Sequence, residues 1–249
     1  MKEIIYKTVD GLNLKLYEFL PQGKASGCVI CIHGGGWKSE DTWRFFRHCE
    51  YFANNGAIAY SVQYRIMEDG KNTDVRDCLK DCADAVKYIK TNLNGSIPIS
   101  VLGDSAGGYL AACLGVSAII KRLESDFSLP DYVVDLNGIV DLTGKWSYGI
   151  IPRKNENCED LLKEFSPLYN VAAGDSPVLI MHGTNDGVVA LSDAENYYDK
   201  LKEEKIDCEL KIIDNAKHAF ILFDYAHENS FVQSVLDTIA NKLKEKNLL

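Results

Sequence analysis

The chain has 249 residues, 46% of them hydrophobic and 25% charged, with a formal net charge of -9 at pH 7 and a pI near 5.1. This is globular composition, and its acidity argues against nucleic acid or an anionic membrane surface as partner. No stretch approaches the roughly 18 apolar residues of a membrane span, and residues 1–7 alternate rather than build a signal-peptide core. The chain therefore reads as cytoplasmic, with its eight cysteines reduced.

Residues 4–9 and 12–19 read as strands joined at Asp10-Gly11, a hairpin signal. Residues 28–32 are continuously apolar, as in a strand covered on both faces, and run into His33-Gly34-Gly35-Gly36-Trp37. Cys28 and Cys31 lie on that strand at an odd separation that points them to opposite faces, so neither a shared metal nor a disulfide is expected. A helix is predicted over 42–55 with Gly56 as its stop, a strand over 57–62, and a long helix over 73–94 whose buried stripe is Val75, Leu79, Cys82, Val86 and Ile89. Cys78 and Cys82 sit four apart on it without a second ligand pair, so no metal is assigned.

Residues 97–102 form the next strand, followed by Gly103-Asp104-Ser105-Ala106-Gly107 and a small, apolar helix over 108–116. Strand, glycine-flanked turn and helix around G-x-S-x-G is the setting of a nucleophile elbow. Further strands are predicted over 132–137, 177–181 and 208–213, and helices over 192–205 and 230–246. The stretch 138–177 resists assignment beyond a short helix near 160–165. Alternating strands and helices imply α/β architecture: a mostly parallel sheet of about eight strands covered on both faces. The whole chain, 1–249, reads as one domain, with 138–177 as a short cap-like insertion.

A serine hydroxyl needs a base to become a nucleophile, and histidine suits because its pKa lies near working pH. In the elbow fold the partners follow in the order Ser, acid, His. His218 lies in the loop after the strand at 208–213, at the carboxyl edge where open α/β sheets bind ligands; it is favoured over His227, which sits near the final helix. Asp186, in Gly183-Thr184-Asn185-Asp186-Gly187, is favoured as the acid over Asp141, one strand earlier. His182 precedes the acid and reads as a buried structural histidine. The glycine run supplies backbone N–H groups, so Gly34, Gly35 and Ala106 are the expected oxyanion donors. Trp37, Tyr109, Trp146, Tyr148 and Phe220 are candidates for lining the substrate site. No cofactor is implied.

Together, His33-Gly34-Gly35-Gly36-Trp37, Gly103-Asp104-Ser105-Ala106-Gly107-Gly108 and His182-Gly183-Thr184-Asn185-Asp186 resemble the α/β-hydrolase esterases of the hormone-sensitive-lipase-like kind, and equally the related small acetyl esterases of carbohydrate esters. The resemblance implies an α/β-hydrolase fold, Ser105 as nucleophile with Asp186 and His218, and a small acyl ester as substrate. Two features depart from the pattern. Lipase-like members carry a sizeable cap before the glycine run, whereas 32 residues precede His33 here; and Ala190 stands where a proline is usual. A small lid favours short acyl groups. The expectation is a serine carboxylesterase acting through an acyl-enzyme, with acetylated carbohydrates among its candidate substrates. Arylformamidase or aminoacyl peptidase activity through the same residues is the first alternative, and a non-catalytic binding descendant the second. Oligomeric state is left open, a homodimer being one option.

Overall fold

The computed structural model describes residues 1–68, 72–93, 97–126, 128–223 and 229–249. Eight strands form one sheet: β1 (Lys2–Val9), β2 (Leu12–Phe19), β3 (Gly27–Ile32), β4 (Ala57–Val62), β5 (Ile99–Asp104), β6 (Tyr132–Leu136), β7 (Val178–Gly183) and β8 (Cys208–Ile213), in the spatial order β1-β2-β4-β3-β5-β6-β7-β8. β1 pairs antiparallel with β2, and β2 antiparallel with β4; the other pairings are parallel. This is the α/β-hydrolase arrangement, and it aligns the carboxyl ends of β3, β5 and β7 along one edge.

The predicted elements are present with shifted ends. The helix predicted over 42–55 divides into a 3-10 turn, Thr42–Phe45, and α1 (Phe46–Asn54). The long helix α2 (Val75–Asn92) starts two residues later than predicted because Asp74 caps it: its carboxylate accepts from the Arg76 N–H, and Asp77 accepts from the Asp74 N–H. After α3 (Ala106–Leu114), Gly115 ends the helix and an extended Val116 restarts it as α4 (Ser117–Arg122), a break the small apolar sequence does not announce. The stretch 138–177 holds a 3-10 turn, Gly144–Gly149, then α5 (Cys158–Glu164) and α6 (Pro167–Asn170). α7 (Leu191–Glu203), α8 (Phe220–Phe223) and α9 (Asn229–Glu245) complete the chain.

Two apolar layers clothe the sheet. One packs α2, α3, α4 and α7 with Cys28, Ile30 and Ile32 of β3; the other packs α1 and α9 with Val29 and Cys31. Cys28 and Cys31 thus lie on opposite faces, as their spacing implies, and all eight cysteines are free. No helix among the described residues is long and apolar enough to cross a membrane.

The insertion is fastened to α2 by polar contacts rather than by strand pairing. Arg76 binds Asp74 at 2.6 Å and Glu156 at 2.7 Å and donates to the Ile151 carbonyl at 2.9 Å; Arg153 binds Asp77 at 2.8 Å. On the other side of the sheet's switch, the turn after β6 is held by Asp135, which is buried and accepts from the Gly138 N–H at 2.9 Å.

Burial pushes the Asp135 carboxyl up, from 3.8 to about 7, with the nearby Asp104 charge adding to the effect and the Gly138 N–H opposing it. A raised carboxyl pKa means the folded chain keeps a proton that the unfolded chain has lost between about pH 4 and 7, so its penalty is absent below that window and complete above it. Asp135→Asn removes the penalty. Relative to the wild type its unfolding free energy should therefore be higher at pH 8 than at pH 5 by a few kcal/mol, read from denaturant midpoints at both pH values. Equal differences at the two pH values would contradict the assignment.

Candidate active site

The elbow begins where β5 ends. Ser105 takes φ 55° and ψ -119°, a conformation that L residues avoid, and is held there by its N–H on the Leu136 carbonyl at 2.9 Å and by the Tyr109 N–H on its own carbonyl at 3.0 Å. The flanking glycines are required by contact. A Cβ on Gly103 would lie 2.0 Å from the Gly107 carbonyl oxygen, and one on Gly107 would lie 2.1 Å from that of Ile32. Only bare backbone allows strand, turn and helix to close this tightly.

The loop after β7 carries Asp186, and the loop after β8 carries His218. Ser105 Oγ lies 2.7 Å from His218 Nε2, and His218 Nδ1 lies 2.8 Å from Asp186 Oδ2. These are hydrogen-bond distances along one line of three side chains drawn from three strand ends. Asp186 Oδ1 accepts from the N–H groups of Val188 and Val189, at 2.8 and 2.9 Å. Burial pushes the Asp186 carboxyl up, but the hydrogen bond from His218 and those from the two amides outweigh it and hold the group below the usual carboxylate range. Asp186 is thereby an anion against which an imidazolium can form. The rival acid, Asp141, is engaged elsewhere: it accepts from the Thr143 N–H and the Tyr169 hydroxyl. His227 lies outside the described residues.

The glycine run folds beside the serine. A Cβ on Gly34 would come within 2.7 Å of the Asp104 carbonyl oxygen and 3.1 Å of Ser105 Cβ. His33, fully buried, sets the loop: its Nδ1 donates to the Gly34 carbonyl at 2.8 Å, its ring stacks on Tyr64 at 4.4 Å, and the Tyr64 hydroxyl donates to the His33 carbonyl at 2.7 Å. Burial lowers the His33 pKa to about 4, so the ring is neutral at working pH and keeps that donor. In a trans peptide C=O and N–H point oppositely, so fixing the Gly34 carbonyl on the His33 ring also fixes the direction of the Gly35 N–H. Ala106 is the first residue of α3, where backbone N–H groups have no partner within the helix.

Ser105, His218, Gly34, Gly35 and Gly36 line a cavity of about 320 Å³ with Asp41, Arg44, Asp104, Ile139, Trp146, Tyr148, Val188, Ala219 and Leu222. Trp146 and Tyr148 from the insertion are thus on its wall. Trp37, Tyr109 and Phe220 are corrections: each is at most 1% exposed and packs in the core, Trp37 against Tyr109 edge to face and Phe220 in the layer beneath α9. Tyr109 spends its hydroxyl on the Phe165 carbonyl at 2.9 Å. Their aromatic character resembled that of site residues, but a large ring next to a buried elbow is core first.

Three charged residues of the cavity lining were not singled out in the sequence. Asp41 and Arg44 form an ion pair at 3.1 Å, visible only once the 3-10 turn places them on one side. Asp104 is buried beside Ser105 and accepts from Asn137 Nδ2 at 3.1 Å; burial raises its pKa to about 6 against that hydrogen bond and the nearby His218. Among the described residues no group of three or more His, Cys, Asp or Glu side chains is placed to hold a metal.

Known proteins share this architecture. The esterase Est2 of Thermogutta terrifontis, solved with propionate bound, superposes with a TM-score of 0.85 at 27% identity over all of this chain and 95% of its own. The same esterase phosphonylated by cyclosarin gives the same TM-score, identity and coverage. Among curated relatives, the acylamino-acid-releasing enzyme of Arabidopsis thaliana is 28% identical over 79% of this chain, and esterase LipC of Mycobacterium tuberculosis 21% identical over 82%. The chain spans 28% and 55% of the lengths of those two relatives. Residues 14–201 match the BD-FAE family, and the chain belongs to that α/β-hydrolase family.

Proposed function

We propose that this protein is a serine carboxylesterase that cleaves small acyl esters through an acyl-enzyme. The observation that carries the reading is the continuous line Ser105–His218–Asp186 at 2.7 and 2.8 Å in a cavity roofed by the glycine run. His218 Nε2 takes the proton as Ser105 Oγ attacks the ester carbonyl, and Asp186 stabilises the imidazolium. The developing oxyanion is met by backbone N–H groups of Gly34, Gly35 and Ala106. The tetrahedral adduct expels the alcohol, which takes the proton from His218. Water then repeats the sequence on the acyl-serine and releases the acid.

A cavity of about 320 Å³ walled by Trp146, Tyr148, Val188 and Leu222 suits a short acyl group, in keeping with the propionate and butyrate found on the related esterase. The Asp41–Arg44 pair beside two aromatic rings suits an oxygen-rich alcohol, so acetylated carbohydrate is the favoured substrate class. The kinship with an acylamino-acid-releasing enzyme favours one second reading, an amide bond cleaved by the same residues.

Ser105→Ala should lower kcat on p-nitrophenyl acetate by about 10⁴- to 10⁶-fold and abolish labelling by a fluorophosphonate. Turnover near the wild-type rate would end the serine-esterase reading. With wild-type enzyme, kcat/KM across acyl chains should peak at about two to four carbons and fall for longer ones, and parallel assays on acetylated oligosaccharides, aryl formamides and aminoacyl amides rank the leaving groups. Gly34→Ala forces a methyl group against Asp104 and Ser105, so kcat should drop by about 10²-fold or more while a thermal melt still reports a folded protein. A kcat within threefold of wild type would place the oxyanion site elsewhere.

A further inference from the structure

A second histidine contacts the acid of the relay. His182, at the end of β7, is fully buried, and its Nε2 lies 3.0 Å from the Val189 carbonyl oxygen and 3.4 Å from Asp186 Oδ2, the same oxygen that accepts from His218. Both neighbours of Nε2 are acceptors, so Nε2 carries the proton. Nδ1 is buried with no hydrogen-bond partner among the described residues, as the bare nitrogen of a neutral ring would be. Burial lowers the pKa of this ring against the opposing pull of the Val189 carbonyl and the Asp186 charge, which agrees with the neutral form. The titratable groups facing it are Asp186, His218 and, from α7, Asp193.

We propose that His182 is a positioning residue for the acid of the Ser105–His218–Asp186 relay: its Nε2–H ties the turn at 186–189 to the end of β7 and fixes where Asp186 Oδ2 meets His218. The geometry accounts for both carboxylate oxygens. Oδ1 is anchored by the N–H groups of Val188 and Val189, but those amides belong to the turn itself and would move with it. The backbone bonds the start of the turn, Asp186 N–H to the Gly183 carbonyl at 3.3 Å, and the side chain of His182 adds a tie from its far end, at Val189, back to β7. Its contact with Oδ2 is long and weak; its bond to the Val189 carbonyl is of ordinary length and carries the restraint. A loss of that tie displaces the carboxylate by a fraction of an ångström, and displacements of that order in reacting groups cost rate rather than binding.

The inference rests on the serine-esterase reading, and the experiment separates the two. His182→Leu keeps an apolar volume but removes the donor, whereas His182→Gln returns an N–H near the position of Nε2. On p-nitrophenyl acetate, His182→Leu should lose about 10- to 100-fold in kcat with KM within threefold, and His182→Gln should recover most of the loss. A side chain that only filled space would give the opposite order, with leucine the better substitute. Wild-type kcat in His182→Leu, within an enzyme that Ser105→Ala inactivates, overturns the role of His182 alone; an active Ser105→Ala overturns the underlying reading. If His182→Leu does not fold, ¹⁵N-histidine spectra of the wild type decide: a neutral ring protonated at Nε2 across about pH 6–8 is expected, and protonation at Nδ1 with Nε2 bare overturns the proposal.

Discussion

Everything at the site depends on how closely three backbones approach at the end of β5. The Gly107 position leaves no room for a Cβ beneath the Ile32 and His33 carbonyls, and the Gly34 position leaves almost none beside Asp104 and Ser105. That crowding forces Ser105 into its strained turn and lifts its hydroxyl off the sheet toward His218. Strain of this kind costs on the order of 1–3 kcal/mol and persists only where the surroundings over-determine it. Here they do: the amide and carbonyl of the serine are both bonded, one to β6 and one to α3. The rigidity of the nucleophile is inherited from the packing of the sheet.

The electrostatics follow from the same crowding. Asp104, Asp135 and Asp186 all sit near the carboxyl edge, but their environments separate them. Asp186 is surrounded by donors and stays ionised. Asp104 and Asp135 receive one hydrogen bond each and are pushed up by burial. One carboxylate is therefore available to balance an imidazolium, while burial disfavours the charge on the other two, of which Asp104 lines the cavity.

Much of this was legible because glycine and strand patterns are local. Gly103, Gly107 and the run 34–36 mark close backbone approach, and the apolar strands before Ser105, Asp186 and His218 bring their loops to one edge. What the sequence does not carry is depth. Trp37, Tyr109 and Phe220 have the chemistry of a ligand wall, but their burial is decided by helices distant in the chain. Asp41 and Arg44 needed the turn geometry of 42–45 to face the cavity, and His182 is buried as its sequence position implies, but its contact with Asp186 is made by a turn whose closure sequence spacing does not reveal. The stretch 138–177 stayed opaque because its buried residues, among them Ile139, Leu142, Ile150, Leu162 and Phe165, follow no single period, and ion pairs to α2 help fix how it lies.

That fastening has an evolutionary side. The insertion leaves the sheet after β6 and returns at β7, two strands paired in register from Val133↔Val178 to Leu136↔Met181, so its ends are held side by side whatever lies between. Closing a longer or shorter loop between fixed ends changes the entropy by little, since each doubling costs only about 0.6 kcal/mol. The aromatic wall of the cavity is thus carried on a segment whose two ends are fixed by the sheet. That segment could change in length or lining, with matching changes along α2, while Ser105, Asp186 and His218 stay in place.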